Sequence, residues 1–156
     1  MNQVILNLQV ACDSLCGLPH KLTFIRWLKI ILYSYHNRKT EITIRLVDEN
    51  ESCALNTQYR NKNYPTNILS FPFTPPTNIK TPLLGDLVIC RQIVENEAHK
   101  QKKNLELHWA HIVTHGVLHL LGYNHLSNKE TKNMNMMEQK IINKLGYHNT
   151  NYKKSK

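Results

Sequence analysis

Residues 105–125 read LELHWAHIVTHGVLHLLGYNH, and the fold turns on this stretch. From Leu105 to Leu121 it is mostly apolar, which predicts a long helix at the centre of the domain rather than one lying on its surface. His115 and His119 are four apart, so they project from one face of that helix, about 6 Å apart along its axis. Two imidazoles so placed can both reach one zinc ion at roughly 2.0–2.1 Å. Gly122 is where the helix can stop, because glycine enters the left-handed region without a Cβ penalty. The returning chain can then deliver His125. Three protein ligands leave a fourth position for water, the pattern of a catalytic rather than a structural zinc.

His108 and His111 lie just upstream. His111 and His119 would sit about 12 Å apart along a straight helix and cannot share an ion. His111 could pair with His115, but no glycine break follows at a distance that would fetch a third ligand. Any single helical histidine is more often a surface or core residue than a ligand; the constellation with its glycine is what singles these three out. Zinc proteases with the pattern H-E-x-x-H-x-x-G-x-x-H place a glutamate after the first histidine as general base. Here that position is Gly116, which has no group to accept a proton. Met134, Met136 and Met137 lie in a polar, helical segment and read as ordinary packing rather than a Met-turn. The sequence therefore argues against a peptidase.

The chain has 156 residues, enough for one domain with a real core. Twenty Lys and Arg against eleven Asp and Glu give a formal charge of +9. The excess lies in the first forty residues and from Leu126 onward, whereas Glu41 to Arg60 is acidic. A basic balance of this kind points to a polyanionic partner, most often nucleic acid. Cys12, Cys16, Cys53 and Cys90 are scattered and form no disulfide framework. Cys53 and Cys90 read as buried thiols, and Cys12 and Cys16 could in principle share a metal. No signal peptide is evident. The apolar stretch from Leu22 to Tyr35 is broken by Arg26 and Lys29 and is too short to span a bilayer. A cytoplasmic location is expected.

Around the histidine helix, Val4, Leu6, Leu8 and Val10 alternate as in a strand. Pro19 suits a first helical turn, followed by Leu22, Ile25, Leu28, Leu32 and Tyr35 at helical spacing. Ile42, Ile44 and Leu46 predict a second strand. Asp48 with Glu51 resembles a capping pair opening a helix towards Arg60. A loop with Asn63 and Pro65 leads to an apolar run from Ile68 to Phe73, and the proline-rich segment from Thr74 to Pro82 must be irregular. Leu84 to Cys90 predicts a further strand. Ile93, Val94, Glu97 and Ala98 predict a helix, and Asn128 to Leu145 a last, more polar one stopped by Gly146. Strands early and helices late predict an α+β domain, a small mixed sheet packed with about five helices, with the metal site at the C-terminal end of the central helix. That single domain is expected over residues 1–148, with a basic tail, 149–156, expected to fray.

Three blocks in order carry a resemblance to a known family: Leu55–Arg60 (LNTQYR) running on through Tyr64–Phe71 (YPTNILSF), Leu84–Cys90 (LGDLVIC), and His115–His125 (HGVLHLLGYNH). With these the chain resembles the YbeY family, single-domain bacterial endoribonucleases that act as ribosomal RNA maturation factors. The likeness spans roughly Glu49 to His125. It implies a single-strand-specific, metal-dependent endoribonuclease in rRNA processing, maturing the 3′ end of small-subunit (16S) rRNA and serving ribosome quality control. Its partner would be rRNA in the context of the small subunit, with ribosomal or assembly proteins beside it and no membrane. The resemblance also implies that His115, His119 and His125 bind one Zn²⁺, though histidine sites accept nickel, copper or cobalt as well. Arg60 and His115 are the candidate catalytic residues. An arginine at a helix end can offer a planar, permanently charged fork to a phosphate. Asn67 and Ser70 are candidates for shaping the same cleft.

Two positions depart from the family pattern: Asn124 and Asn63 stand where aspartate is usual. A carboxylate at 124 could orient a ligand histidine; an amide can only offer its oxygen. The rival reading is a non-catalytic ribosome-assembly or RNA-binding factor whose zinc braces the helix end. A third is a hydrolase of other esters or amides, which the charge disfavours. The sequence leaves open the general base, and the choice between water and the ribose hydroxyl as nucleophile.

Overall fold

A computed structural model describes residues 3–33, 35, 38–77 and 81–147. Among them are four strands and five helices: β1 (Val4–Val10), α1 (Lys21–Tyr33), β2 (Thr40–Val47), α2 (Glu49–Arg60), β3 (Ile68–Pro72), β4 (Leu83–Cys90), α3 (Arg91–Lys100), α4 (Leu105–Leu120) and α5 (Asn128–Lys144). The sheet is mixed, in the order β1-β2-β4-β3. β1 and β4 run parallel to β2, and β3 returns antiparallel to β4. The expected α+β architecture is the observed one. The basic tail and its last lysines lie outside the described residues.

Inward residues of β2 and β4, namely Ile42, Ile44, Leu46, Leu87 and Ile89, are all but inaccessible. They meet α1, α4 and α5 in one core. At its heart Trp27 and Trp109 stand edge-on to Phe24, with ring centroids 5.7 and 6.1 Å away. Each such side chain is fully buried, a contribution of roughly 1.5–3 kcal/mol apiece. On the opposite face Val47, Leu69, Val88 and Cys90 form a smaller core with Leu55, Phe71 and Ile93 from α2, β3 and α3. The long helix is central as expected: Trp109, Ala110, Val113, Val117 and Leu118 are all buried.

Several expectations are corrected. α1 begins at Lys21, with the His20 carbonyl accepting from Thr23 and Phe24, and ends at Tyr33, so Pro19 and Tyr35 fall outside it. Its buried stripe is Phe24, Trp27, Leu28, Ile31 and Leu32, whereas Leu22 is 79% exposed. Leu22 sits two residues from Phe24, about 200° around the helix. Asp48 precedes α2 but makes no side-chain cap. Its carboxylate instead accepts from the Asp13 N–H and the Gln92 amide, and Glu51 is taken by Arg45 at 2.6 Å. Tertiary partners have outcompeted the local pair. Cys53 is half-buried rather than buried, its thiol facing the Asn63 amide oxygen at 3.5 Å. Met134 is buried and Met136 exposed, ordinary behaviour for one helix with two faces. Among the described residues no helix is long and apolar enough to cross a membrane.

Candidate metal centre and cleft

α4 ends in a Schellman motif. The Gly122 N–H donates to the His119 carbonyl and the Tyr123 N–H to the Leu118 carbonyl, both at 3.0 Å. Gly122 has φ +106, a backbone state costly for any residue with a Cβ. The Asn124 side-chain oxygen then accepts from the Leu126 N–H at 3.1 Å, a local turn that an amide makes as well as a carboxylate. These two devices bend the chain back so that His125 faces His115 and His119. The ring centroids of the three lie 4.7, 5.2 and 5.1 Å apart. One ring nitrogen from each falls within 4.8 Å of the others.

The rings are held from behind. His115 Nδ1–H donates to the Glu138 carboxylate at 2.9 Å, and His119 Nδ1–H donates to the Tyr123 carbonyl at 3.0 Å. Both acceptors hold a proton on Nδ1, so in the neutral ring each Nε2 presents its lone pair, and those two atoms are 3.1 Å apart. Lone pairs converging at that distance repel unless a cation lies before them. Tetrahedral nitrogens bound at about 2.0–2.1 Å are themselves about 3.3–3.4 Å apart, so the donor set fits a small divalent metal. Burial, together with its neighbours His115 and His125, pushes the His119 pKa down, favouring the neutral form that ligation requires.

Glu138 was not singled out from the sequence. It is buried on α5 and also accepts from His111 Nε2–H at 3.3 Å. Burial pushes its carboxyl up, but the hydrogen bonds from His111 and His115 outweigh this and hold it at about 2. A signal existed: Met134, Glu138, Ile141 and Ile142 form the buried stripe of α5, and an acid on an apolar stripe asks for a partner. His108 is not a ligand; it is buried and pairs with Glu97 at 3.0 Å. The Asn124 amide oxygen is engaged by the Leu126 N–H, and His115 and His119 are oriented by Glu138 and the Tyr123 carbonyl.

Gly116 is a packing position. A Cβ there would come within 2.4 Å of Ile68 Cδ1 and 2.9 Å of Leu87 Cδ2, so any larger residue would have to push these two side-chain ends of β3 and β4 aside.

The histidines floor a cleft of about 600 Å³, walled by Tyr59 and Arg60 of α2, by Thr66 and Asn67, and by β3. Asn61, at φ +59, stops α2 just after Arg60. The wall is pinned by two buried side chains absent from the sequence expectations. Ser52 Oγ exchanges hydrogen bonds of 3.0 Å with the Thr66 backbone, and the Asn56 amide donates to the Tyr64 carbonyl at 2.8 Å. Asn67 and Ser70 both line the cleft, as expected. Asn67 donates to Glu97, and Ser70 Oγ donates to the Gly116 carbonyl at 3.4 Å. Asn63 does not line it. Among the described lining residues none is a carboxylate, and Arg60 is the one permanently charged side chain. A second hollow, of about 460 Å³ on the other side of Phe71 and Pro72, is lined by Glu41 and Asp86. Of the two, only the histidine cleft suits an anion.

Fold and site together define a single-domain α+β protein whose central helix presents a metal-capable histidine triad to an anion-accepting cleft. The profile of the family described as Endoribonuclease YbeY matches residues 20–146, and the chain belongs to that family. Its activity class is thereby an RNA-cleaving hydrolase. The solution structure of TM1509 from Thermotoga maritima is similar, with 25% identity, 88% of each chain covered and a TM-score of 0.60.

Proposed function

We propose that this chain is a zinc-dependent endoribonuclease that cuts exposed, single-stranded rRNA, with the 3′ end of small-subunit rRNA as its maturation target and ribosome quality control as its wider setting. It would act in the cytoplasm on RNA presented by the small subunit. The observation that carries this reading is the convergence of three imidazole nitrogens in a cleft that also holds Arg60 and, among the described residues, is lined by no carboxylate. His115, His119 and His125 would hold the metal. When bound, zinc supplies Lewis acidity towards a phosphoryl oxygen and towards water.

The protein's own part is positional and electrostatic. Glu138 and the Tyr123 carbonyl fix the ring orientations and keep the Nε2 lone pairs available. The Arg60 guanidinium engages a phosphate as a two-pronged donor and offsets the charge that grows on it in the transition state. With no carboxylate among the described lining residues, a phosphodiester meets no fixed negative charge there. Gly116 leaves no side chain to act as base, which separates this site from that of a zinc protease.

Arg60→Ala tests the assignment. Cleavage of a single-stranded rRNA fragment should fall about 10²–10³-fold, the range for loss of one preorganised donor, with metal content and melting temperature unchanged. An unaltered rate would remove Arg60 from the mechanism.

A further inference from the structure

Tyr59 is 58% exposed, yet it stands in the cleft wall beside Arg60 and across from the histidines. Its ring meets Phe71 of β3 edge-on, with centroids 5.0 Å apart and planes at 70°. Phe71 thus braces the ring from one side, and the exposure leaves the rest of it open. Tyr59 and Arg60 are consecutive on the last turn of α2, so an aromatic face and a phosphate-binding fork are held together by one rigid element. Neither the metal nor the phosphate uses that ring.

We propose that Tyr59 is a base-stacking subsite, on which the unpaired nucleobase next to the phosphate held at Arg60 lies against the open side of the ring. The proposal rests on the endoribonuclease reading and adds the feature by which that site selects its substrate. Aromatic rings accept any base because every base has a π-face. In a duplex both faces of an internal base are already covered, so it reaches Tyr59 only after costly unstacking. A strand that offers a free base beside its scissile phosphate is therefore bound in preference to a paired one. The neighbouring hollow lined by Glu41 and Asp86 repels the backbone and keeps the strand on the Arg60 side of Phe71.

The test is binding of short single-stranded RNAs carrying one 2-aminopurine, whose fluorescence falls on stacking, by the metal-loaded wild type and by Tyr59→Ala, Tyr59→Trp and Tyr64→Ala. The wild type should quench the probe at one position of the strand. Tyr59→Ala should lose that quenching and bind about 10-fold more weakly, and Tyr59→Trp should keep both. Tyr64→Ala serves as control, because Tyr64 is 53% exposed but does not line the cleft. Placing an abasic residue at the quenched position should erase the difference between wild type and Tyr59→Ala. Equal quenching and affinity in Tyr59→Ala, with cleavage intact in the wild type, would overturn the subsite and leave the endoribonuclease reading standing. A wild type that neither binds nor cuts RNA would overturn both.

Discussion

The His115 ring is oriented by a carboxylate from another helix, Glu138 of α5. Glu138 receives hydrogen bonds from His111 and His115 and so fixes which nitrogen of His115 faces the cleft. Carboxylates placed behind ligand histidines change metal affinity by about 10–100-fold. Glu138→Gln should therefore weaken zinc binding by that factor, read by competition with a chromophoric chelator, while the fold persists. Unchanged affinity would reduce Glu138 to a packing residue. The ligand histidines were legible in the sequence because their spacing leaves few other uses. Glu138 was not singled out: its place on the apolar stripe of α5 signals only that it needs a partner, and the partners themselves lie 23 and 27 positions away. Asn124 is the opposite case. It stands where the family usually has aspartate, and in the structure its side-chain oxygen makes the turn to Leu126, a contact that needs only an oxygen.

At the level of elements, the metal centre depends on how α4 stops. Gly122 has φ +106, and a Cβ on it would meet nothing within 4 Å, so substitution there acts through backbone strain alone. Gly122→Ala should lower stability by about 1–2 kcal/mol and weaken metal binding by displacing His125; full metal affinity would show that the loop adjusts without cost. A second element contact joins α3 to α4 and to the start of β3, through Glu97 with His108 and Asn67. Burial pushes the Glu97 carboxyl up, but the hydrogen bonds from His108 and Asn67 prevail and hold it below its ordinary value of 4.5. A carboxyl whose folded pKa is depressed stabilises the fold above the unfolded value, and that stabilisation is lost as pH falls through the folded one. The melting-temperature gap between wild type and Glu97→Gln should thus be widest near neutrality and close progressively below pH 4.5. A gap independent of pH would mean that the charge on Glu97 is not what matters. β1, β2 and α1 were legible from periodicity, whereas α2 was expected from a capping pair at Asp48 and Glu51 that is not realised. Arg45, Gln92 and the Asp13 N–H offered those carboxylates better partners from elsewhere in the chain.

Across the whole molecule, the sheet and its central helix bring residues from α2, β3, α4 and the loop after it around one cleft, 65 positions of sequence separating Arg60 from His125. The sequence marked both ends of that span, but only the fold shows that they face a common space with no carboxylate among its described lining residues. It also shows why: the Ser52 and Asn56 side chains tie the loop after α2 to its helix, and Gly116 lets α4 lie against the sheet. The central claim is that the three-histidine floor of this cleft performs RNA cleavage. The most direct measurement is cleavage of a single-stranded rRNA fragment by the zinc-loaded protein, by the same protein after chelation and zinc restoration, and by His119→Ala purified identically. Cleavage should vanish on chelation, return with zinc, and be absent from a folded His119→Ala. Equal cutting by His119→Ala and the wild type would contradict the account.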